Sequence, residues 1–292
     1  MKLSCNLCGA SKNVFLLTSC NLHGRTILNK DKFKLYRCSL CRNIFLAGIK
    51  TDKNYYQKYY ESDYHLVNVK KSIFHYLLNF FGLFSMRRKV GYIFRNINRA
   101  KINILDIGCA TGSFLEKLDQ GRFIKFGVEI DKKAAQVSAS KKITVYNSDF
   151  LQTEFKKQKF NVITMWQVFE HIPKPRELLR KIREILTNDG ALIFTAPNSN
   201  SLGFRLGKKY WYHLDSPRHL FIPNKDNVSR LLKQSGFKII GIVNEFYDYP
   251  LDLFWSVRKS LWRFLIYPLY PVFKIPDSEC LTFICKRVND TS

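Results

Sequence analysis

The sequence predicts an α/β fold: a mostly parallel sheet with helices on both faces, preceded by a small cysteine-bearing module. Three observations predict it. From residue 102 onward, short apolar runs alternate with stretches of helical spacing, the pattern of strands joined by crossover helices. The run 102–107 carries Asp106 and enters a turn framed by Gly108 and Gly112, so strand, glycine turn and helix follow one another. Two Cys-x-x-Cys pairs, Cys5/Cys8 and Cys38/Cys41, stand ahead of all this.

The run 102–107 is short, apolar and rich in Ile, and 113–118 then has helical spacing. Further strands are expected over 126–131, 143–146 and 160–166. Pro173 and Pro175 break the chain before a helix over 176–186, with Leu178, Leu179, Ile182 and Ile185 on one side. Asn188-Asp189-Gly190 reads as its cap, and 191–196 as a fifth strand. A helix over 227–235 stops at Gly236, and 237–243 and 281–286 supply strands six and seven. The count predicts seven strands, the last inserted antiparallel.

Upstream, 73–84 and 90–97 have helical spacing, with Arg87-Arg88-Lys89 between them as a solvated helix face or a phosphate contact. Residues 49–64 are dense in tyrosine, which reads either as a linker packed on the core or as a lid. Two segments exceed a minimal α/β unit. Residues 199–223 hold His213, Asp215, Arg218 and His219 at the carboxyl edge of the sheet, where open α/β folds bind ligands. Arg218 could clamp a substrate phosphate or form a structural ion pair. Residues 249–276 interleave aromatic and basic side chains, which suits either a helical cap or contact with an anionic membrane. The expected organisation is a cysteine module over 1–48, a tyrosine-rich linker and helices over 49–100, a core over 101–248, a helical insertion over 249–278 and a last strand and tail over 279–292.

The composition narrows the classes. The chain has 292 residues, 46% of them hydrophobic, and a net charge of +25. That charge suggests an anionic substrate or membrane, or simply a solvated lysine-rich surface, because the lysines are scattered in pairs rather than gathered in a nucleic-acid-binding tract. The N-terminus has no secretory pattern and no run reaches a membrane span, so a cytoplasmic protein is expected, with peripheral contact at the inner face of the membrane as the alternative for 249–276. Eight cysteines in such a chain argue for metal or free thiols. Paired knuckles put four thiolates on two tight turns, a tetrahedral zinc-ribbon-like site of Cys5, Cys8, Cys38 and Cys41, with a hairpin in the 29 residues between. Cys20 and His23 form a weaker alternative pair. Cys109, Cys280 and Cys285 read as small buried hydrophobes.

The glycine spacing, Gly108-x-x-x-Gly112, differs from the G-x-G-x-x-G of dinucleotide sites and disfavours a nicotinamide oxidoreductase. Glu129, twenty-one residues past Gly108, stands where a carboxylate can accept hydrogen bonds from both hydroxyls of a ribose.

The stretch Asp106-Ile-Gly-Cys-Ala-Thr-Gly112 resembles motif I of the class I S-adenosylmethionine (SAM) dependent methyltransferases, of the type 11/23-like kind. Glu129, Asp149, the strand 160–166, Glu170-His171-Ile172, Asp189-Gly190 and Pro197-Asn198 follow in that family's order. The resemblance implies a Rossmann-like seven-stranded sheet. It also implies a SAM site at Asp106, Gly108, Cys109, Ala110, Gly112, Glu129, Ile130, Asp149, Phe150, Trp166 and Gln167. The Glu-His-Ile tripeptide is similar to that of quinone-biosynthesis O-methyltransferases, and Pro217-Arg218-His219 to a segment of surface-sugar methyltransferases. The cysteine module resembles that of sugar C-methyltransferases, whose extra C-terminal domain has no counterpart here. A hydroxyl on a sugar, nucleotide-sugar, lipid-linked saccharide or other small molecule is therefore the expected acceptor. His171, His219 and His213 are the candidate bases. The alternative is an RNA methyltransferase, which the charge of +25 and the cysteine module suggest, although Gln167-Val168-Phe169-Glu170 stands where an amine-methylating N-P-P-Y motif would fall. A non-catalytic binding protein is disfavoured by the intact motif residues.

Overall fold

The structure, a computed structural model, describes residues 3–23, 26–60, 73–246, 248–269, 272 and 278–288. The expected segments at 61–64 and 273–276 lie outside the described residues, as does the side chain of His23.

Seven strands make one sheet. In chain order they are β4 (Ile102–Ile107), β5 (Phe123–Val128), β6 (Thr144–Tyr146), β7 (Phe160–Trp166), β8 (Leu186–Pro197), β10 (Phe237–Glu245) and β11 (Cys280–Arg287). Their spatial order is β10-β11-β8-β7-β4-β5-β6. Pairings among β4 to β8 are parallel, while β11 runs antiparallel to both β8 and β10. The order reverses at β4, which has β5 on one side and β7 on the other. A crevice opens at such a switch point, and the glycine turn follows β4 directly.

Period-two alternation sends successive residues of β4 to opposite faces. Leu105 and Ile107 pack against α5 (Pro175–Ile185) through Leu178, Leu179 and Ile182, and against α7 (Lys225–Gln234) through Val228, Leu231 and Leu232. Ile102 and Ile104 pack against Tyr92, Ile93 and Ile97 at the end of α2 (Ile73–Asn96). Asp106 shares that second face, which explains its environment below.

Several boundaries differ from expectation for physical reasons. The two helical stretches 73–84 and 90–97 form one helix, because the intervening Arg-Arg-Lys are good helix formers. That triplet is not simply a solvated face: Lys89 pairs with Asp248 at 3.1 Å and lies over the Trp166 ring, and Arg88 donates to Tyr92. The second strand ends at Val128 instead of 131, since Asp131 caps α4 (Lys132–Ala139) by accepting from the Ala134 N–H. Residues 188–190 do not cap a helix; α5 ends when Leu186 turns extended (ψ 138), and β8 continues through them. The helix after the glycine turn, α3, is only Ser113–Glu116.

The N-terminal module is a long hairpin, β1 (Asn13–His23) with β2 (Thr26–Cys38), extended by β3 (Ile44–Leu46). Its fourth strand, β9, is Phe221–Ile222 from the insert after β8. Phe33, Leu35, Ile44 and Leu46 share a core with Phe204, Trp211, Leu214 and Ile222 of that insert. The insert is pinned from beneath by Glu279, which is fully buried and accepts from Ser201, the Gly203 N–H and the Trp211 indole. Residues 249–269 supply two short helices, α8 (Asp252–Val257) and α9 (Arg263–Ile266). Among the described residues no helix is long and apolar enough to cross a membrane.

Candidate active site

A cleft of about 380 Å³ opens at the switch point. Gly108 and Gly112 both adopt left-handed backbone, φ 70° and 73°. A side chain at Gly108 would run into Val168, and one at Gly112 into Ser138 and Ile143. Between them Ala110, itself at φ 47°, turns its N–H onto Glu129 Oε2 at 2.9 Å, while Oε1 accepts from the Asp131 N–H at 2.9 Å. The carboxylate is thus fixed by two backbone donors at the cleft wall, and each oxygen keeps a lone pair for a further donor.

Of the expected cofactor residues, Gly108, Ala110, Glu129, Ile130, Asp149, Phe150, Trp166 and Gln167 line this cleft. Asp106, Cys109 and Gly112 stand behind the turn and do not line it. Asp106 is buried, accepts from Thr164 at 2.6 Å, and burial raises its carboxyl to about 7. Cys109 is buried against Ser138, and burial pushes its thiol up to about 12. These three shape the turn from below.

Two buried donors at the cleft, Trp166 Nε1 and Gln167 Nε2, have no partner among the described residues. Gln167 also holds left-handed backbone, φ 58°. Unsatisfied donors and local strain concentrate where a ligand completes the structure. The site therefore fits a polar cofactor bearing a ribose, with Glu129 and the Gly108–Ala110 turn as its cradle.

The other end of the cleft is histidine-rich. His171 Nδ1 lies 2.9 Å from the Arg218 carbonyl and 2.9 Å from the Tyr60 hydroxyl. A carbonyl only accepts, so Nδ1 carries the proton and Nε2 is the ring's acceptor. Burial lowers the His171 pKa and keeps the ring neutral. His219 packs edge-on against His171, centroids 4.7 Å apart, and its Nδ1–H donates to the His213 carbonyl at 2.8 Å. Burial, then the neighbouring His171, push His219 down to about 3. His213 Nε2 lies 2.9 Å from Asp252 in a buried pair. All three candidate histidines line the cleft. Arg218 is a structural ion-pair partner and not a phosphate clamp: it is 1% exposed and its Nε lies 3.1 Å from both Asp215 oxygens.

Glu170 is fully buried with neither carboxyl oxygen hydrogen-bonded, and burial raises it to about 8. Its pKa is higher folded than unfolded, so its contribution to stability is full below about 4.5 and is lost as pH rises through about 8. Glu170→Gln is expected to raise the melting temperature at pH 9 by roughly 3–6 °C while leaving it unchanged at pH 4, as differential scanning fluorimetry would read.

Tyr56 and Tyr60, on α1 (Lys53–Tyr60), also line the cleft, with Tyr60 edge-on to the His171 ring. Their spacing of four residues on one helix was the available signal. Ser148 and Tyr249 had none, because each comes into place only through the tertiary fold.

A sheet of this order, a glycine turn at its switch point and a ribose-type carboxylate define a nucleoside-cofactor enzyme. The family described as "Methyltransferase domain" (Methyltransf_23) matches residues 84–242, over half of the chain, and the chain belongs to it. It is a SAM-dependent methyltransferase. The chain is similar to the ubiquinone biosynthesis O-methyltransferase of Nitrosospira multiformis, 22% identical over 59% of this chain and 77% of that protein. It is also similar to that of Coxiella burnetii, 24% identical over 46% of this chain and 57% of that protein. It thus spans only a little over half the length of the second relative. Among solved structures, the fold matches magnesium protoporphyrin IX methyltransferase from Synechocystis PCC 6803, solved with bound SAH. That TM-score is 0.56 at 15% identity, covering 81% of this chain and all of that one.

Proposed function

We propose that the enzyme transfers the methyl group of SAM to a hydroxyl of a small molecule or glycan, with His171 as the base. The observation that carries this reading is the placement of His171. Its Nδ1–H is fixed by the Arg218 carbonyl, which orients Nε2 as the acceptor, and the ring lines the same cleft as the Glu129 carboxylate. SAM supplies a methyl carbon activated by its sulfonium. Glu129 accepts the ribose hydroxyls, Asp149 and Phe150 bound the nucleobase end, and Trp166 and Gln167 offer their unpartnered N–H groups. Tyr56 and Tyr60 cover the cleft and exclude water. His171 takes the hydroxyl proton as the acceptor oxygen attacks; His219, far more acidic as an imidazolium, suits holding the pocket's shape better than taking a proton near neutrality. The relatives' name, O-methyltransferase, supports hydroxyl chemistry.

The acceptor classes favoured are a sugar, a nucleotide-sugar, a lipid-linked saccharide or a quinol-type ring. Incubation with methyl-labelled SAM and a panel of these, with product mass and linkage read by mass spectrometry, tests the reading. An O-methyl ether supports it. Label appearing in RNA and in no hydroxyl acceptor would overturn it.

We propose further that Cys5, Cys8, Cys38 and Cys41 hold a structural zinc ion. Cys5 and Cys41 sulfurs lie 3.6 Å apart, Cys8 and Cys38 sulfurs 3.5 Å, and all four fall within 4.8 Å of one another. A tetrahedron with Zn–S of about 2.3 Å has edges of about 3.8 Å, so the donor set fits. The two knuckles are alike: the residue after each second cysteine, Gly9 or Arg42, is left-handed at φ 78° or 64°. Metal analysis is expected to find one zinc per chain, falling below about 0.2 equivalents in Cys8→Ser/Cys38→Ser with a lower melting temperature. Full zinc content in that variant would place the metal elsewhere.

A further inference from the structure

A second and larger cleft, about 1180 Å³, lies between the N-terminal hairpin and the insert after β8. Six cations line it: Arg37 and Arg42 from the cysteine module, Arg205, Lys208 and Lys209 from the insert, and Lys259 from the segment after α8. No acidic residue does. Among the described residues, no carboxylate pairs with Arg37, Arg42, Lys208, Lys209 or Lys259.

Like charges gathered in one cavity repel one another, and a polyanion reverses the sign of that interaction. Arg42 is not a floppy surface residue at its backbone. It closes the second cysteine knuckle in left-handed conformation, with its N–H donating to the Cys38 carbonyl at 3.0 Å. The metal-type turn therefore fixes where this cation enters the cleft. Guanidinium forks match phosphate oxygens, lysines add point charge, and Tyr210 and Trp262 supply flat faces beside them. The volume suits a nucleotide-sized or headgroup-sized ligand and excludes a nucleic-acid duplex.

We infer that this cleft is a binding site for the diphosphate or phosphate groups of a phosphorylated ligand, and that the cysteine module exists in part to build it. The inference does not depend on which atom accepts the methyl group. The segment 208–214 joins the two clefts: Lys208, Lys209 and Tyr210 line this one, and Tyr212 and His213 the catalytic one. The phosphoryl group could belong to a free nucleotide or to a lipid. Leu261, Trp262 and Phe264 beside Lys259 are 83%, 55% and 69% exposed, which makes the lipid source a concrete alternative to the soluble one.

The test uses the full chain, replete with zinc, at low ionic strength. Inorganic pyrophosphate and UDP are titrated calorimetrically, and sedimentation with phosphatidylcholine vesicles, with and without phosphatidylglycerol, is measured in parallel. The variant is Arg42→Gly/Lys259→Gln; glycine keeps the left-handed turn, as Gly9 does in the first knuckle. The control is Lys156→Gln/Lys157→Gln, an exposed lysine pair elsewhere on the surface. Pyrophosphate and UDP binding that weakens at least about tenfold in the variant, holds in the control and leaves SAH affinity unchanged is expected for a soluble diphosphate ligand. Vesicle binding that needs phosphatidylglycerol and is lost only in the variant assigns the same site to a lipid headgroup. Absence of both, or equal weakening in the control, overturns the inference.

Discussion

Glu129→Ala is expected to abolish measurable SAM and SAH binding while the protein stays folded. The carboxylate is held by the Ala110 and Asp131 N–H groups at 2.9 Å each, so it meets the ligand already oriented. Removing it deletes two charge-assisted hydrogen bonds to the ribose and leaves two backbone donors unpaired beside the cleft. At about 1.5–3 kcal/mol for each bond to a charged group, affinity should fall by roughly 100-fold or more. Calorimetric titration of SAH into wild type and variant reads this directly. Glu129→Gln should recover only part of the loss, since an amide offers one acceptor oxygen where the carboxylate offers two. Unchanged SAH affinity in the alanine variant would move the cofactor site away from this cleft.

His171→Ala should cut turnover by about 10²–10⁴-fold with SAH binding intact, the range expected for loss of a positioned base. The pH dependence separates this role from a packing role. Burial lowers the His171 pKa, so the neutral, proton-accepting form persists below the ordinary imidazole value of 6.5. The acidic limb of the kcat/KM profile should therefore fall at a pH lower than 6.5 and vanish in the variant. For stability, the unfolded chain binds a proton below 6.5 that neutral His171 and His219 refuse when folded. Stability from these rings is thus complete above 6.5 and declines as pH drops toward about 3, the lower His219 value. Tyr60→Phe is a graded check: it removes one of the two groups that hold Nδ1 and should lower kcat by less than the alanine variant does. A His171 variant with wild-type turnover would pass the base to another group.

Much of this site was legible in the sequence because its signals are local. A glycine turn after a strand, an acid at fixed distance and a terminal Glu-His-Ile declare themselves within a few residues. Gly108, Gly112 and Glu129 needed no tertiary information to be found. The amphipathic face of α5 and the stop at Gly236 were equally local, and both stand as read. What was not legible depends on contacts distant along the chain. Glu170 is legible as part of the Glu-His-Ile tripeptide, but its full burial without a hydrogen bond, with His219 Nε2 3.6 Å away, comes only from the fold. Arg218 was open between a phosphate clamp and a structural ion pair, and Asp215, three residues away in a buried turn, settles it as the ion pair. Lys89 looked solvated, yet Asp248 and Trp166 meet it from elements more than seventy residues downstream. The second basic cleft is the clearest case: its cations come from three segments that only the fold brings together.

The two-residue strand Phe221–Ile222 completes the hairpin sheet from within the insert after β8. Leu220, next to it, receives the Leu46 N–H on its carbonyl and gives its own N–H to the Glu170 carbonyl. A backbone path of two hydrogen bonds therefore runs from the cysteine module to the residue beside His171. The module and the insert thus share one sheet. A fragment trimmed to residues 84–242 would bare Phe221 and Ile222, both fully buried here, and lose β11, the strand wedged between β8 and β10. The stretch matched by the family, 84–242, therefore leaves out strands that its own residues pair with. A cut at residue 48 would part β3 from its partner strand β9.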